Sequence, residues 1–414
     1  MRLGVLSALI VVLLLSSCSE EVTVTLPEID PEGDVAGMAG LTDEAMDAME
    51  GVYAVVEGQQ LLGEEVVLKH AGTGLSLFTG KDALHALFVH GWSDSTVHLA
   101  GYWRKLVTLD VGTFRLAIDR SEGAVELLHG RRPGQGRVEI RGSYGNGSER
   151  GQREVLLRYV RPLFTSATPF YILAHRAGGR NADRLPASEN SAELVRLAER
   201  YGANGVEIDV QLTKDGVPVI YHDEQLNLRL TQKSGLVGAL SDYTLAQLET
   251  FIRLKNGERI PTLKRMLATI LRQTQLRFVW LDSKSSVPIS MLRDLQRAYA
   301  DSATLFQRDL RIVIGLPDED KVEELLTLPD FADADVLCEL DIERVRATHA
   351  EFWAPRWTLG TQPALVSAMK EEGRGVFTWT LDEARYIQEF LQVGLYDGIL
   401  TNYPTLVAFY YYSQ

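Results

Sequence analysis

The stretch GVEIDV, residues 205–210, sets Glu207 and Asp209 two positions apart among apolar residues. In a strand this spacing points both carboxylates to one face and Val206, Ile208 and Val210 to the other, with the two acid-bearing Cα atoms about 6.6 Å apart. Two acids on one poorly solvated face repel each other unless positive charge offsets them. A divalent cation is one resolution, and hard oxygen ligands suit Mg²⁺ or Ca²⁺. Salt bridges to Lys or Arg are the other, and these two residues alone do not choose between them. Asp215-Gly216 then supplies a tight turn, and VPVIYHD brings the chain back to His222. An imidazole there could carry a proton near neutral pH or simply end a strand. Asp223 and Glu224 are assigned to the turn beyond.

Three further segments carry similar chemistry. FYILAHRAGG places His175 and Arg176 at a strand end, followed by glycines that let backbone approach a ligand. RFVWLDSK puts Asp282 and Lys284 on one strand face, and GVFTWT ends near Trp379. Cys338, within the apolar run DADVLCELD, reads as a buried small hydrophobe.

The elements that must position these residues follow Pro162, where strand-like runs alternate with helical ones such as IPTLKRMLATILRQ and LDEARYIQEFLQVG. Eight candidate strands over about 250 residues predict an α/β domain, a (β/α)8 barrel over 166–414. An open doubly wound sheet is the alternative, but no Gly-x-Gly-x-x-Gly follows the first strand. The candidate residues all fall toward C-terminal strand ends, where barrel enzymes keep their sites. Residues 46–165 instead show short alternating runs with Gly- or Asp-containing turns, which predict an all-β domain, a sandwich or small barrel. Its five histidines, His70, His85, His90, His98 and His129, show no ligand spacing and are expected at the surface or half-buried.

Hydrophobic and charged shares of 45% and 24% fit an ordinary globular chain long enough for two domains. Residues 1–68 hold thirteen acids and one base, so most of the net charge of −14 belongs to the N-terminal end. No basic stripe appears, which argues against a nucleic-acid partner. Arg2 and the apolar run from Leu3 to Leu15 are too short to span a bilayer and read as a targeting segment. Its end, Leu15-Ser16-Ser17-Cys18, resembles a bacterial lipoprotein signal over 1–17, which implies lipid modification of Cys18 and a membrane-anchored envelope location. A plain secretory peptide or a membrane anchor is the alternative. Residues 18–45, rich in Pro, Gly and acids, read as a linker.

Taken together, His175-Arg176, Glu189-Asn190-Ser191, GVEIDVQLTKDGVPVIYHDE, Pro261-Thr262-Leu263, Asp282-x-Lys284, Thr378-Trp379-Thr380 and GILTNYP resemble the glycerophosphodiester phosphodiesterase family across about 171–404. The resemblance implies one divalent cation, Mg²⁺ or Ca²⁺, on Glu207, Asp209 and Asp282. It implies His175 and His222 as the acid/base pair, Arg176 and Lys284 as phosphate contacts, and Trp379 in the substrate pocket. The implied activity is metal-dependent hydrolysis of glycerophosphodiesters to sn-glycerol 3-phosphate and an alcohol. Two alternatives stand beside it: a lysophospholipase D-type activity on lysophospholipids, or an inactive barrel in a surface binding protein. Three features depart from the family pattern: a longer spacing between Arg176 and Glu189, Asp282 where many members have glutamate, and Lys264 where an acid is common.

Overall fold

The computed structural model describes residues 24–28, 34–132, 134–149, 151–284 and 286–414. The expected targeting segment and Cys18 lie outside them. Among the described residues, eight antiparallel strands run in sequence order and close on themselves: β1 Gly51–Glu57, β2 Glu65–Ala71, β3 Gly74–Phe78, β4 Leu84–Ser93, β5 Thr96–Lys105, β6 Val111–Ile118, β7 Glu139–Asn146 and β8 Arg153–Arg161. The closing pair is β1 with β8, so the all-β domain is a small barrel without free edges. Alternation fills its interior with Tyr53, Val55, Leu77, Phe88, Leu99, Phe114, Leu116 and Leu157. Phe88 pairs across the ladder with Gly101, where a Cβ would lie 2.6 Å from the Phe88 ring; only glycine leaves the ring that space. The helix Asp43–Met49, capped by the Thr42 hydroxyl, packs Ala45, Met46 and Met49 against the same core. Asp34 pairs with Arg115 of β6 at 2.9 Å, so the chain from residue 34 onward already lies on this barrel.

The second barrel contains eight parallel strands: β9 Tyr171–Ala174, β10 Gly205–Leu212, β14 Phe278–Ser283, β15 Arg311–Leu316, β16 Val336–Cys338, β17 Phe352–Trp353, β18 Gly375–Thr378 and β19 Gly398–Thr401. They close through β19 with β9 and β9 with β10. Between β10 and β14 lie β11 Pro218–Ile220, antiparallel to β10, and a small ribbon of β12 Gln225–Leu226 with β13 Gly238–Ala239. Each predicted strand is present, and the outer helices follow the expected pattern. In Leu263–Gln273 the buried Leu263, Met266, Leu267, Ile270 and Leu271 form one stripe facing the strands, and Thr262 caps the first turn. Cys338 lies in the strand–helix layer, and burial pushes its thiol up to about 11.

Side-chain parity divides the barrel interior into a floor and a mouth. Leu173, Phe278, Val313, Leu337, Phe352 and Phe377 make the floor, with the rings of Phe278, Phe352 and Phe377 centred 4.9–5.2 Å apart. Gly205, at the base of β10, has no room for a Cβ, which would lie 2.5 Å from Leu173. Two residues further up the same faces, β10 and β14 carry Glu207 opposite Trp280, and above that Asp209 opposite Asp282.

The two barrels pack together through the helix Pro404–Tyr412 and the turn Glu199–Tyr201, which meet β2 and β3 of the first barrel. One histidine departs from expectation here. His85 is 1% exposed rather than superficial, because Tyr201 of the second barrel covers it with ring centres 5.2 Å apart. Burial, with the nearby Arg104 charge, lowers its pKa to about 3. From about pH 6.5 down to 3 the unfolded chain therefore takes up a proton that the folded chain refuses. Stability is full above this window and falls as pH drops, by up to about 1.4 kcal/mol per pH unit. His85→Gln should flatten this part of the pH–stability curve in urea unfolding; slopes equal to the parent would refute the assignment.

Candidate active site

The eight barrel residues to which the resemblance gives a site role all line one cleft of about 930 Å³ at the C-terminal ends of the strands. Immediately after β9, Arg176 and Ala177 adopt φ values of 53° and 68°. Left-handed backbone costs a non-glycine residue roughly 1–2 kcal/mol and persists only where its surroundings enforce it. Here it turns the Arg176 amide inward to donate to Glu207 Oε2 at 2.9 Å.

Glu207, Asp209 and Asp282 bring one carboxylate oxygen each to within 4.8 Å of one another. Lys284 donates to Asp209 Oδ1 at 2.7 Å and also to Asp282 Oδ2. Asn190 donates to the other oxygen of Asp209 at 2.7 Å. Although burial opposes its ionisation, Asp209 is held below the usual carboxylate range by Lys284 and the two histidines. Glu207 and Asp282 move the other way, each pushed up first by burial and then by the neighbouring acids. Glu207 Oε1 is buried and makes no hydrogen bond among the described residues. An orphan oxygen in an acidic trio served by one ammonium is what a hard cation site presents, so these residues fit a divalent metal.

The two imidazoles face this trio from opposite supports. Asn402 donates its amide to Asp382 at 2.6 Å, which leaves Asn402 Oδ1 to accept from His175 Nδ1 at 2.7 Å. The Nε2 of His175 then carries a lone pair 3.7 Å from Glu207. His222 Nδ1 donates to Asp223 Oδ1 at 2.6 Å, and its Nε2 accepts from Arg176 Nη2 at 2.8 Å and lies 4.0 Å from Asp209. Both tautomers are fixed by the partners of the opposite ring nitrogen. Burial, with the Arg176 charge, lowers His175 to about 4.

Arg176 is itself anchored: Nη1 donates to Glu189 at 2.8 Å, and Arg229 binds Glu189 at 3.0 Å and Asp223 at 2.6 Å. Asp223 therefore does more than finish a turn; with Arg229 and Asn227 holding it ionised despite partial burial, it orients His222. Its place beside His222 in the chain was the available signal. Sequence reasoning also passed over Glu339, which lines the cleft. Alternation along β16 puts Leu337 in the floor and hence Glu339 toward the mouth, where desolvation and Asp282 push its carboxyl up to about 8. Trp379 lines the same cleft, its indole donating to Ala354 O at 2.8 Å beneath the Arg356 guanidinium, 4.7 Å from the ring centre.

Residues 175–303 match the Glycerophosphoryl diester phosphodiesterase family. The chain is 26% identical over 241 residues to the glycerophosphodiester phosphodiesterase of Caldanaerobacter subterraneus subsp. tengcongensis, covering 56% of this chain and 94% of that one. Glycerophosphodiester phosphodiesterase 1 of Mus musculus is 34% identical over 131 residues, 30% of this chain and 37% of its own. A phosphodiesterase from Oleispira antarctica, solved with the product sn-glycerol-3-phosphate, is 22% identical with a TM-score of 0.44, covering 57% of this chain and 94% of that one. The similarity to that family lies within the second barrel, over residues 175–303, and supports an enzyme of the phosphoric diester hydrolase class.

Asp223→Asn keeps the size of the side chain but removes the carboxylate that accepts from His222 Nδ1. Diester hydrolysis should slow by about 100-fold, the lower end of general acid–base contributions, with the fold intact by circular dichroism. A rate within twofold of the parent would show that Asp223 does not serve His222.

Proposed function

We propose that the cleft hydrolyses glycerophosphodiesters to sn-glycerol 3-phosphate and an alcohol, with one divalent cation, Mg²⁺ or Ca²⁺, held by Glu207, Asp209 and Asp282. The observation that carries this reading is the convergence of two oriented imidazole Nε2 atoms on an acidic trio with an orphan buried oxygen. A divalent cation in that trio would supply Lewis acidity to an oxygen of the phosphodiester.

The chain's own residues supply the rest. Arg176 and Lys284 present a guanidinium and an ammonium where a phosphate oxygen would gather charge in the transition state. A bound phosphate oxygen would compete with His222 Nε2 for Arg176 Nη2, while Nη1 stays on Glu189. That exchange frees His222 Nε2. Oriented by Asp223, His222 takes up a proton from solvent at the freed Nε2 and gives it to the leaving alkoxide, while His175 Nε2 accepts the proton of the attacking water, or of a substrate hydroxyl whose cyclic ester water then opens. Asp382 behind Asn402 keeps the amide, and so His175, from turning.

The test is direct. The parent chain should hydrolyse glycerophosphocholine, lose that activity in a chelator and regain it with Mg²⁺ or Ca²⁺, whereas folded His222→Ala should lose at least about 100-fold in kcat. Undiminished turnover in His222→Ala, or in chelator, would sink the mechanism. Hydrolysis of lysophosphatidylcholine in preference to glycerophosphocholine would move the substrate to lysophospholipids.

The sequence around Cys18 supports a lipid-anchored location in a bacterial envelope, with the substrate met at the membrane surface. Expressed in a bacterial host, the chain should enter the detergent phase of a Triton X-114 partition. Cys18→Ala should shift it to the aqueous phase, and no shift would remove the anchor.

A further inference from the structure

The loop between β9 and the helix Ala192–Val195 is the segment whose length departs from the family pattern, and it touches the supports of both histidines. At its near end Asn181 and Glu189 clasp each other: the Asn181 amide donates to Glu189 Oε2 and the Glu189 amide to Asn181 Oδ1, both at 2.8 Å. Asn181 Nδ2 also donates to the carbonyl of Arg229 at 3.0 Å. Glu189 is the anchor of Arg176 and Arg229, the two cations around His222. At its far end Asp183 accepts from Arg180 and from the hydroxyl of Tyr403, at 2.9 and 3.2 Å. Tyr403 follows Asn402, the partner of His175.

What holds the loop from the other side belongs to the first barrel. Arg104, on β5, is 1% exposed and donates one arm of its guanidinium to the carbonyl of Asp183 and the other to that of Arg184. Arg184 sits at φ 52°, a left-handed conformation that its neighbours must enforce. Burying a guanidinium against carbonyls costs desolvation that an apolar side chain would avoid. The planar fork is the compensating feature, because it fixes two adjacent carbonyls at once.

We propose that Arg104 is a positioning residue for catalysis, and that the first barrel acts on the reaction by clamping this loop, and through it Glu189–Arg176–His222 and Tyr403–Asn402–His175. The inference rests on the phosphodiesterase reading of the cleft. Its physical content is that freeing the loop disorders the proton carriers while leaving the barrels folded. Displacement of about 1 Å at a catalytic group costs up to roughly 100-fold in rate.

The test uses the full chain with metal, in the parent, Arg104→Met and Arg104→Lys. Methionine fills the volume without donors; lysine restores a donor. Two substrates are compared, glycerophosphocholine and the p-nitrophenyl ester of glycerol 3-phosphate, whose leaving group departs without needing a proton. Arg104→Met should lose about 10-fold or more in kcat on glycerophosphocholine, with a smaller change in KM and a smaller loss on the nitrophenyl ester, and Arg104→Lys should recover part of it. A merely structural role lowers both substrates equally. Equal losses, or a folded Arg104→Met within twofold of the parent on both substrates, would overturn the inference. If Arg104→Met does not fold, Asn181→Ala cuts the next link and is judged by the same two outcomes. A parent inert on both substrates would overturn the phosphodiesterase reading and this inference with it.

Discussion

Mutual repulsion among Glu207, Asp209 and Asp282 is the constraint around which the site is organised. Their carboxylates approach within 4.8 Å inside a closed barrel, where water screens poorly, and a single ammonium, that of Lys284, bridges two of them. Further compensation comes from dipoles: the Asn190 amide on Asp209 and the Arg176 backbone N–H on Glu207. Arg176 and Asn190 both stand at positive φ, 53° and 62°, so local strain is the counterpart of the concentrated charge.

That concentration needs a rigid base. The floor of Phe278, Phe352 and Phe377 fills the barrel below the acids, and Gly205 leaves Leu173 and Phe278 the space to do so. The same strands thus change from apolar to charged within two residues. The aromatic layer keeps the acids at the open mouth of the barrel and excludes solvent from beneath them.

The two barrels solve different problems with the same device of closure. In the first, antiparallel pairing removes sheet edges around a fully packed interior. In the second, parallel strands leave eight loops on one face, and the site is built from strand ends that carry the acids and from loops that carry the histidines. Loops are the least constrained elements of a fold, which gives a neighbouring barrel physical purchase on them. Arg104 and the covered His85 and Tyr201 lie on that shared surface, where burial is created by two domains jointly and belongs to neither sequence segment alone.

How much of this was legible in the sequence follows from the range of the interactions concerned. Side-chain parity is local, so strand alternation alone places Glu207, Asp209, Asp282 and Lys284 on inward faces, and the apolar runs are enough to count the eight parallel strands. Glu339 obeys the same parity but was hidden beside Cys338 in an apolar run. Asp223 adjoins His222 in sequence, yet its role depends on Arg229 holding it ionised, a contact between the β11–β12 turn and the loop that follows β12. The burial of His85 and the reach of Arg104 to Asp183 and Arg184 span distant parts of the chain. The sequence by itself determined which residues face inward and the kind of chemistry they can do, because strand alternation and residue type are properties of a few neighbouring positions. Only the tertiary structure decided that Asp209 lies level with Asp282, which nitrogen of each histidine faces the acids, and that one barrel grips a loop of the other. Those depend on strand register, left-handed loop backbone and interdomain packing, which are set by contacts between residues far apart in the chain.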